Sequence, residues 1–125
     1  MVALHDIMTA DVYTVSAATP VADAAQAMVQ GRFGSAVVVT GATLIGIFTE
    51  RDVLRAAAGR GDLSVEAVRE WMTEDPVTAG PDEDSEDAAE SMLAGGFRHM
   101  PIVDHGRVLG IVSLRDLLSA RIRRP

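Results

Sequence analysis

Val21, Ala24, Ala25 and Met28 recur at three- and four-residue spacing. That spacing returns to one face of a helix, so it predicts a helix over about residues 20–30 with a single buried stripe. Thr19 is placed to cap it, Pro20 suits its first turn, and Asp23 sets a negative charge near the positive end of the helix dipole. Gly31 is expected to end it. Two short apolar runs follow, Ala36 to Val39 and Leu44 to Phe48, separated by Thr40-Gly41-Ala42-Thr43. β-Branched runs around a turn-like spacer predict a hairpin. Thr49 then caps a second helix whose buried side is supplied by Val53 and Leu54. Ahead of all this, an opening Asp6-Ile7-Met8-Thr9 leads into a short extended stretch ending at Thr14-Val15.

The same grammar returns 64 residues later. Residues 70–119 lie on residues 6–55 without a gap, and sixteen of the 50 pairs are identical. Met8-Thr9 falls on Met72-Thr73, Asp23-Ala24-Ala25 on Asp87-Ala88-Ala89, Met28 on Met92, and Gly46-Ile47 on Gly110-Ile111. Arg51-Asp52 falls on Arg115-Asp116. The second helix has the stripe Ser85, Ala88, Ala89 and Met92 and ends at Gly95; the second hairpin joins Pro101–Val103 to Val108–Val112 through Asp104-His105-Gly106-Arg107. Ser113 caps the last helix, with Leu117 and Leu118 on its buried side. An internal repeat of this length implies two copies of one supersecondary unit. The expected fold is α/β (α+β): two pseudo-symmetric β-α-β-β-α repeats packed as one module, over residues 1–60 and 70–125, with a linker over 61–69. Ser64 is placed to cap a short helical segment leading to Trp71, whose ring is expected to fill the seam between the repeats.

At 125 residues the chain is long enough for one compact domain and short for two independent ones. It has no cysteine, which removes disulfides and thiolate zinc sites. No apolar stretch approaches a membrane span, and the first residues lack a basic region followed by an apolar run, so a cytoplasmic protein without a targeting segment is expected. The net charge is -7, and all 11 basic residues are arginine. Nine of the 18 acids fall between Glu70 and Glu90. Such an acidic body lacks the basic footprint that duplex nucleic acid needs. Arg121, Arg123 and Arg124 form a solvated end or reach an acidic surface of a neighbouring subunit.

The sharpest polar pattern is the exit of the second hairpin strand, Gly46-Ile47-Phe48-Thr49-Glu50-Arg51-Asp52 and Gly110-Ile111-Val112-Ser113-Leu114-Arg115-Asp116. Two readings of Thr49/Asp52 and Ser113/Asp116 stand. In one, each pair is a capping box that satisfies the helix's own backbone donors. In the other, the carboxylate accepts two hydrogen bonds from a cis-diol such as ribose, assisted by the cap hydroxyl and free N–H groups. Arg51 and Arg115 then offset phosphate charge, or else form surface ion pairs. The stretch Gly95-Gly96-Phe97-Arg98-His99-Met100-Pro101 stands at the mouth of the second cluster; Phe97 reads as core. His99 is either a partly buried histidine or a donor to a phosphate. A metal held by His99, Asp104 and His105 is disfavoured, because strand alternation turns neighbours apart and no fourth ligand is present. Ser113, His99 and Asp116 supply the residue types of a catalytic triad, but Ser113 is committed as a cap, and no nucleophile, Walker or dinucleotide motif occurs. No catalytic residue and no metal site is therefore expected.

With these residues in view, the chain resembles a tandem pair of CBS domains, the cystathionine beta-synthase domain family. The resemblance covers essentially the whole sequence. It rests on the Met-Thr openings, the Val12–Val15 and Val77-Thr78 stretches, the Ala-Ala-Met helices, Gly-Phe-Arg-His-Met-Pro, and both Ser/Thr-x-Arg-Asp exits. It implies a regulatory module that binds an adenine nucleotide or adenosyl ligand (AMP, ADP, ATP or S-adenosylmethionine) in clefts between the repeats. No cofactor is required, and magnesium enters only with ATP. The implied ribose holders are Thr49 and Asp52 at one site, Ser113 and Asp116 at the other. Pocket-lining residues are implied near Thr14-Val15 and Thr78-Ala79. Base or phosphate contacts are implied at Ser35, Ala36 and Val37 in the first copy and at His99, Met100 and Pro101 in the second. The first copy departs from the pattern, with Gly34-Ser35-Ala36-Val37 in place of Arg98-His99-Met100-Pro101, so the site of Ser113 and Asp116 is expected to dominate. The acids from Asp82 to Asp87 disfavour ATP relative to AMP or S-adenosylmethionine. The resemblance further implies a homodimer through the last helices and the Met-rich helices, and an unidentified effector protein, with no nucleic acid and no membrane as partner. A competing reading is a structural or protein-interaction module whose clefts bind no small molecule.

Overall fold

The computed structural model describes residues 1–123. Two compact units are formed, residues 13–76 and residues 1–12 with 77–123. The first contains β1 (Thr14–Val15), α1 (Val21–Gly31), β2 (Ser35–Thr40), β3 (Thr43–Thr49), α2 (Glu50–Ala58) and β4 (Thr73–Glu74). The second contains α3 (Ser85–Gly95), β5 (His99–Asp104), β6 (Arg107–Ser113) and α4 (Leu114–Ile122). Arg121 and Arg123 are exposed at the chain's end, and Arg124 lies outside the described residues.

In the first unit the strands run in the order β1-β2-β3-β4, with β1 parallel to β2 and the other pairs antiparallel. The second unit repeats the arrangement in shorter form. β5 and β6 pair antiparallel, Ala79 bridges to Ile102 in parallel, and Thr9 bridges to Ile111 antiparallel. Both hairpins carry an irregularity at the same repeat position, Val38/Val39 and Ile102/Val103. The second turns through His105 and Gly106, both at positive φ, as a two-residue hairpin demands.

The openings lie one copy over from where the sequence order would put them. Thr73-Glu74 pairs with Ile47-Gly46 of the first hairpin, while Thr9 exchanges two hydrogen bonds of 2.9 Å with Ile111 of the second. The contacts thus divide the chain at residues 12/13 and 76/77, whereas the sequence repeats divide it around residues 61–69. Glycine at 46 and 110 makes the close approach feasible. A Cβ on Gly110 would stand 2.8 Å from both Met8 Sδ and the Thr9 carbonyl, and one on Gly46 would stand 2.7 Å from Met72 Sδ. Gly110→Val should therefore cost about 1–3 kcal/mol through overpacking. Thermal denaturation checks it, and an unchanged midpoint would mean that the opening yields without loss.

Each unit has its own core. Phe48, Val38, Ala36, Val21, Ala24, Met28, Ala56 and Val68 pack in the first; Leu4, Met92, Met100, Ile102, Val112 and Leu117 pack in the second. Phe97 packs against the latter as expected.

Several local expectations are corrected. Thr19 does not cap α1. The cap residue is Pro20, without a side-chain bond, and Thr19 Oγ1 instead accepts from Ser16 N–H at 3.2 Å. The first helical donors are satisfied by the connector, Val21 N–H to Glu66 O at 2.8 Å and Ala22 N–H to Leu63 O at 2.9 Å, so no side chain is needed there. Ser64 caps no helix; it donates to Asp62 through its amide at 3.0 Å and its hydroxyl at 2.6 Å. Those bonds hold the Asp62 carboxyl below its ordinary pKa. By contrast, α1 and α3 do end at Gly31 and Gly95 as expected, with the left-handed turn taken by the next residues, Arg32 and Gly96. Trp71, which opens the second sequence repeat, does reach the first, packing against the core of the 13–76 unit that the first repeat largely builds. Leu54 and Leu118 are exposed, since a nine-residue helix presents too narrow a stripe to bury two consecutive apolar side chains.

Candidate functional site

Both strand exits adopt the capping box. On α2, Thr49 N–H donates to Asp52 Oδ2 at 2.9 Å, Thr49 Oγ1 donates to the same oxygen at 3.2 Å, and Asp52 N–H donates back to Thr49 Oγ1 at 3.4 Å. On α4, Ser113 N–H donates to Asp116 Oδ2 and Asp116 N–H to Ser113 Oγ, each at 3.0 Å. Both acids lie in the first turn of a nine-residue helix, where the N-terminal end of the dipole favours negative charge.

The sheets bring the remaining candidates to these exits. In the first unit Ser35 is the register partner of Thr49, Val37 pairs with Thr14, Val15 with Val38, and Glu50 N–H donates to Gly34 O at 3.2 Å. Ser35, Ala36, Val37 and Val15 are buried, and Thr14 is exposed. In the second unit His99 is the partner of Ser113, Ala79 N–H donates to Pro101 O at 3.1 Å, and Leu114 N–H donates to Arg98 O at 2.9 Å. His99 is half-buried, Met100, Pro101 and Ala79 are buried, and Thr78 is exposed. Each candidate thus lies in the same unit as its own strand exit, with Ser35 and His99 in direct register with the capping residues Thr49 and Ser113. Arg51 and Arg115 stand exposed on the first turns of α2 and α4.

The two exits differ in charge and access. Asp52 is 5% exposed, and its Oδ1 accepts from Arg55 Nη1 at 3.0 Å. Asp116 is only half-buried, and among the described residues it forms no ion pair. Arg55 also stacks over Trp71, its guanidinium carbon 5.6 Å from the ring centroid. Sequence reasoning missed Arg55, because lining up the two copies selects identities and position 55 is a mismatch, Arg against Ser119. It also missed Tyr13, which stacks on Phe33 at 5.7 Å. Burial and the nearby Asp23 charge raise the Tyr13 pKa, so its hydroxyl stays protonated.

Ser113 Oγ is engaged as the cap of α4, accepting from Asp116 N–H. Asp104 and His105 pair at 3.0 Å on the β5–β6 turn, and among the described residues no group of three or more acidic, histidine or cysteine side chains stands ready to hold a metal ion. No helix of the described residues is long and apolar enough to cross a membrane. Two cavities open elsewhere. One of about 270 Å³ lies between α3 and α4, and another of about 460 Å³ between α1 and α2, and neither includes the capping aspartates.

Comparison with known proteins adds the family. A family model described as "CBS domain" matches twice, over residues 4–59 and 68–123. An uncharacterized 17.7 kDa protein of Acidianus ambivalens is 40% identical over 94% of this chain and 71% of its own length. The chain spans between 41% and 84% of the first three curated relatives. Among solved structures, the CBS-domain containing protein ATU1752 of Agrobacterium tumefaciens aligns with a TM-score of 0.88 at 33% identity, covering 96% of this chain and 99% of that one. The CBS domain pair of protein MJ0100, in complex with 5′-methylthioadenosine and S-adenosyl-L-methionine, aligns with a TM-score of 0.89 at 25% identity, covering 97% and 96%.

Proposed function

Because the chain belongs to the CBS domain family, with both of its repeats matched, we propose that it is a ligand-sensing regulatory module that binds an adenosyl compound and carries out no catalysis of its own. The observation that carries the reading is the second strand exit. Asp116 Oδ2 accepts from the Ser113 amide and, among the described residues, its Oδ1 accepts no hydrogen bond, at a helix N-terminus whose cap Ser113 is the register partner of half-buried His99. A carboxylate so placed accepts hydroxyls from a ribose, while His99 and exposed Arg115 meet a phosphate or another polar end. The MJ0100 complex supports an adenosyl ligand as the class. The acids Asp82, Glu83, Asp84, Glu86 and Asp87 weigh against a triphosphate, so AMP or S-adenosylmethionine is favoured over ATP, with magnesium accompanying only the latter.

The test is calorimetric titration of nucleotide-stripped protein with AMP, ADP, ATP with and without magnesium, and S-adenosylmethionine. Saturable binding by one of them supports a sensor. Silence across the panel with folded protein overturns it and leaves a protein-interaction module.

The proposed assembly is a homodimer through the helical faces. In the first unit Val29 and Leu54 are exposed on α1 and α2; in the second, Leu93, Leu118 and Ile122 are exposed on α3 and α4. Val29 and Leu54 line one apolar groove, and Leu93 and Leu118 line the other. Apolar patches of this kind mark association sites, and two-fold dimers are the commonest soluble oligomers. Leu118→Glu should shift the protein from dimer to monomer in size-exclusion chromatography with light scattering; an unchanged mass would move the interface elsewhere. A signal would then pass to an effector protein, or show itself as altered self-association.

A further inference from the structure

Asp52 already has a cationic partner. Its Oδ2 takes the Thr49 amide and hydroxyl, and its Oδ1 takes the Arg55 guanidinium at 3.0 Å. The carboxylate side chain is 8% exposed, while that of Arg55 is 58% exposed. Arg55 is held from behind by the Trp71 face, 5.6 Å away. The Trp71 Nε1–H meets no acceptor, so packing and the cation over its ring fix the indole rather than a hydrogen bond. At the other exit both members of this clamp are missing. The residues 64 positions from Arg55 and Trp71 are Ser119 and Ile7, and among the described residues no arginine pairs with the Asp116 carboxylate.

We infer that Arg55, seated on Trp71, occupies the ligand position of Asp52 and makes the first site the weak one. A diol reaching Asp52 must displace the guanidinium from Oδ1 and give up the stacked ion pair; a diol reaching Asp116 displaces only water. An ion pair whose arginine end is open to solvent and a cation–π contact are each worth little, so the handicap is on the order of tenfold in affinity rather than complete closure. Arg55 is thus a specificity-determining residue that grades the two sites, and the proposal rests on the adenosyl-binding reading above.

The experiment uses the full-length chain in the D116A background, which isolates the first site. AMP and S-adenosylmethionine are titrated calorimetrically into D116A and into D116A with Arg55→Ser, the residue found at position 119. Arg55→Ala serves as the second variant. The expected result is affinity on the order of tenfold higher once Arg55 is gone, abolished again by adding D52A. Emission from Trp71, the chain's one tryptophan, should change in Arg55→Ser without any ligand. Unchanged or weakened affinity overturns the inference while wild-type binding leaves the adenosyl reading standing; unchanged emission overturns the clamp itself. Silence of the wild type and the Arg55 variants alike overturns both.

Discussion

On the proposed adenosyl-binding function, Asp116→Ala is expected to remove the tight phase of ligand binding, a loss on the order of 100-fold, and to leave the fold in place. The carboxylate has one oxygen engaged by Ser113 N–H and the other open, so it is the group with spare acceptor capacity at that exit. Hydrogen bonds to a charged acceptor are each worth about 1.5–3 kcal/mol, so losing a pair from a diol passes the 100-fold mark comfortably. Alanine also removes half of a capping box, at a cost of about 1 kcal/mol to α4, which a folded domain tolerates. Calorimetry with AMP and S-adenosylmethionine, alongside a thermal melt, reads both effects. Retained affinity with a lowered melting point would reduce Asp116 to a cap.

Phe48→Ala should be the most damaging single change to stability, about 3–5 kcal/mol, set against the roughly 5–15 kcal/mol that typically holds a domain together. Phe48 is fully buried on β3, paired with Ala36, in the core that α1 and α2 close. Its neighbours there include Ala24, Ala36 and Ala56, side chains too short to reach into the space left behind. The next residue is Thr49, so the same loss loosens the cap that positions Asp52. Urea denaturation measures it. A shift under about 1 kcal/mol would mean that the core collapses around the gap. Phe48→Val, which copies the residue at Val112, should be the milder change.

What the sequence made legible was local. The capping boxes at Thr49 and Ser113 need only a hydroxyl and an acid three residues on, and the hairpins only β-branched runs around a turn. What it hid was set by distant partners. Thr19 looked like a cap because a cap normally comes from its own helix, yet the α1 donors are taken by the carbonyls of Leu63 and Glu66. Leu54 and Leu118 counted as core because apolarity alone does not say which way a short helix faces. Among the candidate site residues, the lining up of repeats found Asp52 and Asp116 together and was blind to Arg55, whose guanidinium pairs with Asp52 alone among the described residues.

The crossed openings change where this chain can be divided. Gly59 to Asp62 looks like the hinge of a two-part protein, yet a fragment ending at residue 60 lacks β4, the Met72 side chain against Gly46 and the Leu63 and Glu66 carbonyls that begin α1. It would also carry residues 1–12 with nothing to pair against, since Thr9 belongs to β6. A single stretch of gene, residues 13–76, encodes the first unit entire; the other is encoded in two pieces that bracket it. Synthesis therefore makes the 13–76 unit whole before the second can close, and residues 1–12 wait until β6 has followed it.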